Sequence, residues 1–230
     1  MAKEILIIRG PKKLAGKIKI NGAKNAAVAM LPAAIMTEGK VILDNLPDIT
    51  DVRQLENILT HLGATVSRES KRRLVIDPAP INCYSPPAKM VKTLRASYYF
   101  LGSLLARFGK AEVPVPGGCD LGPRPIDQHL KGLQALGADI TQEHGIIKAE
   151  ARCLKGANIY LDVVSVGATI NIMLAAVKAR GKTIIENVAK EPEIVDVANF
   201  LNAMGARVSG AGTDVIKIQG VEKLGSVEHT

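Results

Sequence analysis

Glu38-Gly39-Lys40-Val41-Ile42-Leu43 recurs as Phe108-Gly109-Lys110-Ala111-Glu112-Val113 and again as Arg180-Gly181-Lys182-Thr183-Ile184-Ile185. Each copy leads to a second shared phrase. These are Leu62-Gly63-Ala64-Thr65-Val66, Leu136-Gly137-Ala138-Asp139-Ile140 and Met204-Gly205-Ala206-Arg207-Val208. The Gly-Lys pairs lie 70 and then 72 residues apart, and a fixed period of this kind marks an architecture built from one repeated unit. Within each unit an apolar helix runs toward Gly, the favoured residue just past a helix end. A short strand follows. An amphipathic helix comes next, with Val52, Leu55, Ile58, Leu59 and Leu62 in the first copy and Ile194, Val197, Phe200, Leu201 and Met204 in the third. That spacing puts them on one helical face. This helix ends at Gly63, Gly137 or Gly205, and residues 73–76, 146–149 and 215–218 close the units as strands.

The first helix of each unit, residues 26–36, 96–108 and 168–179, is apolar nearly all round. Such a helix is buried on every side. Three of them predict an α/β domain turned inside out: an inside-out α/β barrel of three β-α-β-α-β-β repeats, with helices at the centre and sheets and amphipathic helices outside. The aromatics of the middle helix (Tyr98, Tyr99, Phe100, Phe108) then read as core packing. The repeats are expected over about 21–82, 83–153 and 154–220. Leu6-Ile7-Ile8-Arg9-Gly10 resembles Ile216-Lys217-Ile218-Gln219-Gly220 at an offset of 210 residues. The chain is therefore expected to stop just as a fourth repeat begins, as a fragment of a longer protein, unless 226–230 form a natural frayed tail.

Composition narrows the class. With 47% apolar residues and a net charge of +8 on 230 residues, the chain is too apolar and too weakly charged to be disordered. No apolar run reaches the ~18 residues of a membrane span. The start (Met1-Ala2-Lys3-Glu4) does not read as a secretory signal. Three cysteines without metal-type spacing argue against a disulfide scaffold or a metal site, and a reducing cytoplasmic compartment is expected. The positive balance suits anionic partners. Aromatics are too few (3%) for stacking on nucleic-acid bases.

The repeat is broken in one place. Gly39 to Gly63 and Gly181 to Gly205 both span 24 residues, whereas Gly109 to Gly137 spans 28. The extra residues fall in Pro114-Val115-Pro116-Gly117-Gly118-Cys119-Asp120-Leu121-Gly122-Pro123-Arg124-Pro125, a candidate functional loop. Cys83 and Cys153 read as buried inert hydrophobes. Cys119, beside Arg124 in a Gly-rich loop, reads equally well as inert or as chemically active. The starts of the three apolar helices form a second constellation: Asn21-Gly22-Ala23-Lys24-Asn25, Lys92-Thr93-Leu94-Arg95 and Val164-Ser165-Val166-Gly167. Free N–H groups and a partial positive charge suit helix starts to phosphate. Ordinary capping by Asn21 or Ser165 is the plain alternative. His129, preceded by Asp127 and Gln128, opens an amphipathic helix and is a lesser candidate for a direct role.

Together, Gly22-Ala23-Lys24-Asn25-Ala26-Ala27, Leu94-Arg95-Ala96-Ser97, Pro116-Gly117-Gly118-Cys119, Gly122-Pro123-Arg124-Pro125-Ile126-Asp127, Val164-Ser165-Val166-Gly167-Ala168-Thr169 and Glu191-Pro192-Glu193-Ile194-Val195-Asp196 closely resemble the enolpyruvyl transferases, in the branch that acts on UDP-N-acetylglucosamine. The sister branch of aromatic biosynthesis carries Lys-Ser in place of Lys24-Asn25 and lacks the cysteine loop. The resemblance implies two similar three-repeat domains with the active site between them: residues 21–225 would be the first, residues 1–20 an N-terminal strand and crossover belonging to the second, and 226–230 the truncated start of that second domain. It implies enolpyruvyl transfer from phosphoenolpyruvate to the 3′-hydroxyl of UDP-N-acetylglucosamine, the first committed step of peptidoglycan synthesis. Phosphate would leave through a tetrahedral ketal, with no metal and no cofactor. Carried over by position, Cys119, Lys24 and Arg124 are catalytic. Lys24 and Asn25 hold phosphoenolpyruvate, and Arg95 touches the ligands. Arg124, Pro125, Ile126, Asp127 and Gln128 line the uridine side. Val163 (through its backbone), Val164, Ser165, Val166 and Gly167 bind the diphosphate. No nucleic acid or membrane partner is implied, and the missing C-terminal domain of the same chain is. The alternative is a half-domain that binds a UDP-sugar or phosphate without turnover.

Overall fold

The computed structural model describes residues 5–92, 94–115 and 125–230. The repeat sets the architecture. Unit one comprises α1 (Lys24–Ala33, continued as a 3-10 turn Ala34–Met36), β1 (Val41–Leu43), α2 (Thr50–Leu62), β2 (Thr65–Ser70) and β3 (Arg73–Asp77). Unit two contains the short α3 (Ala88–Val91), a 3-10 turn (Arg95–Tyr98) leading straight into α4 (Tyr99–Phe108), β4 (Lys110–Pro114), α5 (Asp127–Ala135), β5 (Asp139–Glu143) and β6 (Ile146–Glu150). Unit three adds β7 (Asn158–Tyr160), α6 (Val166–Ala176), β8 (Lys182–Glu186), α7 (Pro192–Ala203), β9 (Arg207–Ser209) and β10 (Val215–Gln219), and β11 (Val227–His229) follows.

The apolar helices do lie at the centre. Residues 26–33 of α1 and 168–176 of α6 are all buried, and α4 packs against both helices. α2 and α7 turn one face inward, Val52, Leu55, Ile58, Leu59 and Leu62 on the first and Ile194, Val197, Phe200 and Leu201 on the second. One apolar core runs through all three units. This is the inside-out α/β arrangement that the periodicity predicts. The Gly that follows each outer helix is left-handed in every unit: Gly63, Gly137 and Gly205 have φ of 110°, 93° and 102°. The inner helices differ from expectation, because only Gly109 directly caps its helix. α1 carries Pro32, tightens to a 3-10 turn and leaves through extended Thr37. Gly39 is instead a close-packing position, where a Cβ would lie 2.3 Å from Ser226 Oγ.

Three sheets enclose the helices, in the orders β11-β1-β3-β2, β4-β6-β5 and β7-β8-β10-β9. The central pairings are antiparallel, with Val41 opposite Ile76, Ala111 opposite Ala149 and Ile185 opposite Ile216. The outermost position of each sheet relates the units. β7 lies parallel to β8, and β11 lies parallel to β1 with Val227 opposite Val41. In unit two the Glu112 N–H donates to Tyr84 O at 3.0 Å. The last residues are therefore not the frayed tail that one reading expected. Val227–His229 completes the first sheet, giving the exposed side of β1 a partner for its backbone groups. Among the described residues 5–20, the expected N-terminal strand is not formed. Residues 5–23 have no regular structure, and Ile5, Leu6, Ile7, Ile8, Leu14, Ile18 and Ile20 are each at least 76% exposed. A lone extended segment has no ladder to join, and none of the described strands pairs with it.

Candidate functional site

The starts of the three inner helices meet at one end of the domain and line a cleft of about 680 Å³. α1 contributes Lys24 and Asn25, the turn before α4 contributes Leu94 and Arg95, and the approach to α6 contributes Val163 through Gly167. Pro125, Asp127 and Gln128 line the same cleft. Ile126 does not; it packs half-buried against the core. Cys119 and Arg124 lie outside the described residues, as does the rest of the segment 116–124.

Capping divides the three helix starts. Ser165 caps α6, its Oγ accepting the Ala168 N–H at 3.2 Å, and its carbonyl accepts the Thr169 hydroxyl at 2.8 Å. The N-cap residues Ala23 of α1 and Leu94 of the turn before α4 provide no side-chain cap. Asn21 does not cap α1 as the sequence suggested; its Oδ1 accepts from the Arg72 guanidinium. Two helix starts therefore present N–H groups that no N-cap side chain satisfies, the arrangement that favours a bound anion.

Of the carboxylates, the sequence singled out Asp127 and missed Asp51 and Glu193. Each outer helix opens with an acid that faces the cleft: Asp51 on α2, Asp127 on α5 and Glu193 on α7. Lys24 Nζ pairs with Asp51 Oδ2 at 2.6 Å, and Asn25 Nδ2 donates to Glu193 Oε1 at 2.9 Å. The described lining thus carries two cations and three carboxylates. Their equivalent places in the repeat were a usable signal, since Asp51 and Glu193 both stand second in an outer helix.

Three further assignments change. Tyr98 and Tyr99, read as core, both reach the cleft. Burial pushes Tyr99 up to about 12, with the Glu193 charge adding to the shift and Arg95 opposing it. Cys83 and Cys153 are free thiols, half-exposed rather than buried. His129, a lesser candidate from sequence, is a buried wall of the cleft. Burial and the nearby Arg95 charge lower its pKa to about 4, against a smaller opposing effect of Asp127.

Gln128 fastens this wall to the approach of α6. Its amide N–H groups donate to Asp127 Oδ2 at 2.9 Å and Asp162 Oδ2 at 3.2 Å, and its Oε1 accepts the Asp162 N–H at 2.9 Å. The Lys131 ammonium, 2.7 Å from Asp162, and then the Gln128 amide hold that carboxyl below its usual range. Residues 127–128 are in this way tied to Asp162, which leads into 163–167. Convergent helix starts with fixed donors and cations can hold a polyanion and stabilise charge that develops on it.

A family model described as EPSP synthase (3-phosphoshikimate 1-carboxyvinyltransferase) matches residues 8–230. The chain is 61% identical over 225 residues to UDP-N-acetylglucosamine 1-carboxyvinyltransferase 2 of Listeria monocytogenes, covering 98% of this chain and 53% of that protein. It is 56% identical over 227 residues to UDP-N-acetylglucosamine 1-carboxyvinyltransferase 3 of Caldanaerobacter subterraneus, covering 99% and 54%. Among solved structures, the enolpyruvyl transferase NikO of Streptomyces tendae superposes with a TM-score of 0.81 at 23% identity, over 96% of this chain and 53% of the other. EPSP synthase of Acinetobacter baumannii gives 0.70 at 20% identity, over 93% and 49%. The chain spans about half the length of the curated relatives it matches.

Proposed function

From the premise that this chain belongs to the EPSP synthase family of enolpyruvyl transferases, we propose that its parent protein is a UDP-N-acetylglucosamine 1-carboxyvinyltransferase. It transfers the enolpyruvyl group of phosphoenolpyruvate to the 3′-hydroxyl of UDP-N-acetylglucosamine and releases phosphate. This reaction commits material to peptidoglycan, and so serves cell-wall growth, cell shape and division in the cytoplasm. The observation that carries the reading is the convergence of three helix starts, with Lys24, Asn25 and Arg95, on one cleft. Relatives of 54% to 61% identity that bear this activity in their names support the choice of acceptor.

The chemistry is an addition followed by an elimination. The acceptor oxygen bonds to C2 of phosphoenolpyruvate while C3 gains a proton, giving a tetrahedral ketal. The C2–O bond to phosphate then breaks as C3 returns a proton. The positive character at C2 and the charge on two polyanionic ligands call for fixed donors in a closed, dry site. Lys24 and Asn25 hold phosphoenolpyruvate, Arg95 meets the ligands in the cleft, and residues 163–167 take the diphosphate at the start of α6. Pro125, Asp127 and Gln128, with Arg124, flank the uridine. Cys119 delivers the proton to C3. Asp120 beside it disfavours a thiolate, which suits an acid.

A second domain of the parent chain would supply the other wall of the cleft. Because this chain spans about half of its relatives, a half-site that binds the UDP-sugar without turnover is the reading for residues 1–230 alone. Phosphate release from phosphoenolpyruvate plus UDP-N-acetylglucosamine by the full-length protein tests the proposal. Release is expected, with loss of at least ~100-fold in Cys119→Ala and activity retained in Cys119→Asp. No release by the parent protein, or full activity in Cys119→Ala, would sink it.

A further inference from the structure

α6 is apolar and fully buried from Ala168 to Ala176, yet Asn171 sits in its middle with no exposed surface. A buried amide must satisfy its donors and acceptor, and each partner here is fixed. Asn171 Oδ1 accepts the Gly102 backbone N–H at 2.7 Å. Its Nδ2 donates to the Tyr98 carbonyl at 2.9 Å. Both partners are main-chain groups with one possible role, so the amide cannot be turned over. The remaining Nδ2 hydrogen points along the 3.0 Å contact to His129 Nδ1. Nδ1 is therefore an acceptor, and the ring proton resides on Nε2.

Glycines build this arrangement. A Cβ on Gly102 would lie 2.3 Å from the Asn171 carbonyl oxygen, and one on Gly132 2.1 Å from Ile172 Cδ1. α4 and α5 thereby close on α6 tightly enough for Asn171 to reach Gly102 and His129. At the third position, a Cβ on Gly167 would be 2.9 Å from His129 Nε2. The protonated nitrogen is thus delivered to the first turn of α6, beside Ser165 and Val166. Tyr98 packs against the other side of the ring, with centroids 5.9 Å apart. The charges that act on the imidazole, Arg95 from the turn before α4 and Asp127 from α5, have opposed effects, and burial outweighs both.

We infer that Asn171 is a positioning residue that holds His129 as its neutral Nε2–H tautomer, making the imidazole an uncharged donor to a phosphate oxygen of the nucleotide diphosphate at the start of α6. The tautomer stands on the hydrogen bonds alone, while the identity of the ligand rests on the transferase reading. A neutral donor keeps its hydrogen bond across the pH range in which an ordinary histidine titrates, and adds directionality beside a helix start without a further charge.

Nitrogen-15 NMR of the full-length protein, with labelled histidine rings, separates the parts. Between about pH 5.5 and 8, His129 is expected to show an unprotonated Nδ1 and a protonated Nε2 throughout. UDP-N-acetylglucosamine should move the Nε2 signal together with the amides of residues 165–167. Asn171→Asp should put a proton on Nδ1. His129→Gln, which leaves the Asn171 bonds to α4 in place, should raise the KM for UDP-N-acetylglucosamine about tenfold and that for phosphoenolpyruvate less than about twofold. A protonated Nδ1 in the unsubstituted protein overturns the inference. So does ligand binding that shifts the 165–167 amides and leaves Nε2 unmoved, an outcome that spares the transferase reading. If the tautomer is as described but the nucleotide sugar does not bind, the transferase reading fails and the ligand assignment fails with it.

Discussion

The two ends of the inner helices are treated in opposite ways. At their starts, Ala23 and Leu94 offer no side-chain cap, and the cleft there holds Lys24, Asn25 and Arg95. At their far ends, cations at the ends of α4 and α6 donate to carbonyls of neighbouring segments. Arg107, on the last turn of α4, donates to Ile35 O at 2.6 Å, Thr37 O at 3.0 Å and Pro78 O at 2.9 Å. Lys178, just past α6, donates to the Glu222 carbonyl. Burial lowers the pKa of both side chains, with the Glu38 charge opposing it in each. A helix end carries a partial charge that must be met by something. Here the end of α1 is met from within the fold by Arg107, whereas two of the three helix starts carry no N-cap side chain. Substitutions at the two ends should accordingly separate stability from activity.

The largest effect is expected at the open end. Lys24→Ala removes a half-exposed ammonium whose partner is Asp51, so melting should shift by no more than ~2 °C. In the parent enzyme kcat/KM should nevertheless fall by about 10²–10³-fold, the usual cost of removing one fixed donor to a reacting anion. A loss of stability with little loss of turnover would reverse the assignment of this end. Arg107→Ala is the converse experiment. It strands three part-buried carbonyls and should cost about 2–3 kcal/mol, lowering the melting temperature by roughly 5–10 °C in a domain of this size. Ligand affinity at 20 °C, measured by calorimetry on the folded protein, should stay within ~2-fold. If it collapses, the two ends are coupled and the contrast fails.

Sequence alone carried much of this plan, for definite reasons. The paired Gly phrases and the 24-residue spacing expose the repeat, because a left-handed residue after each outer helix admits few alternatives to Gly. The apolar character of α1, α4 and α6 then implies burial, and three equivalent helix starts imply convergence. Other features were not legible. Val227-Glu228-His229 has no pattern that identifies a strand, and β11 becomes one only because β1 lacks a neighbour on that side. The exposed segment 5–23 alternates like a strand but has no described partner. Asn171 was visible as the one amide in an apolar run, but its partners Gly102 and His129 are 69 and 42 residues away. No local rule connects residues so distant.

The smallest predicted effect concerns the carboxylates that now occupy the open end. Asp51 stands in the first turn of α2, where its charge favours that helix start, and it also holds the Lys24 ammonium at 2.6 Å. An incoming phosphate must compete with it for the same cation. The pair is substantially exposed, with 56% of the Lys24 side chain and 30% of Asp51 accessible, so its net strength is at most about 1 kcal/mol. Asp51→Asn keeps the side chain's size and removes the charge. Phosphoenolpyruvate affinity should therefore rise about 2–5-fold at low ionic strength, and the gain should shrink in 0.5 M salt as screening removes the competition. Stability should drop by only ~0.5 kcal/mol from the lost helix-start interaction. A fall in affinity would mean that Asp51 orients Lys24 for the ligand rather than competing with it. The acids at the starts of the outer helices would then belong to the binding machinery, and the open end would be built from both signs of charge.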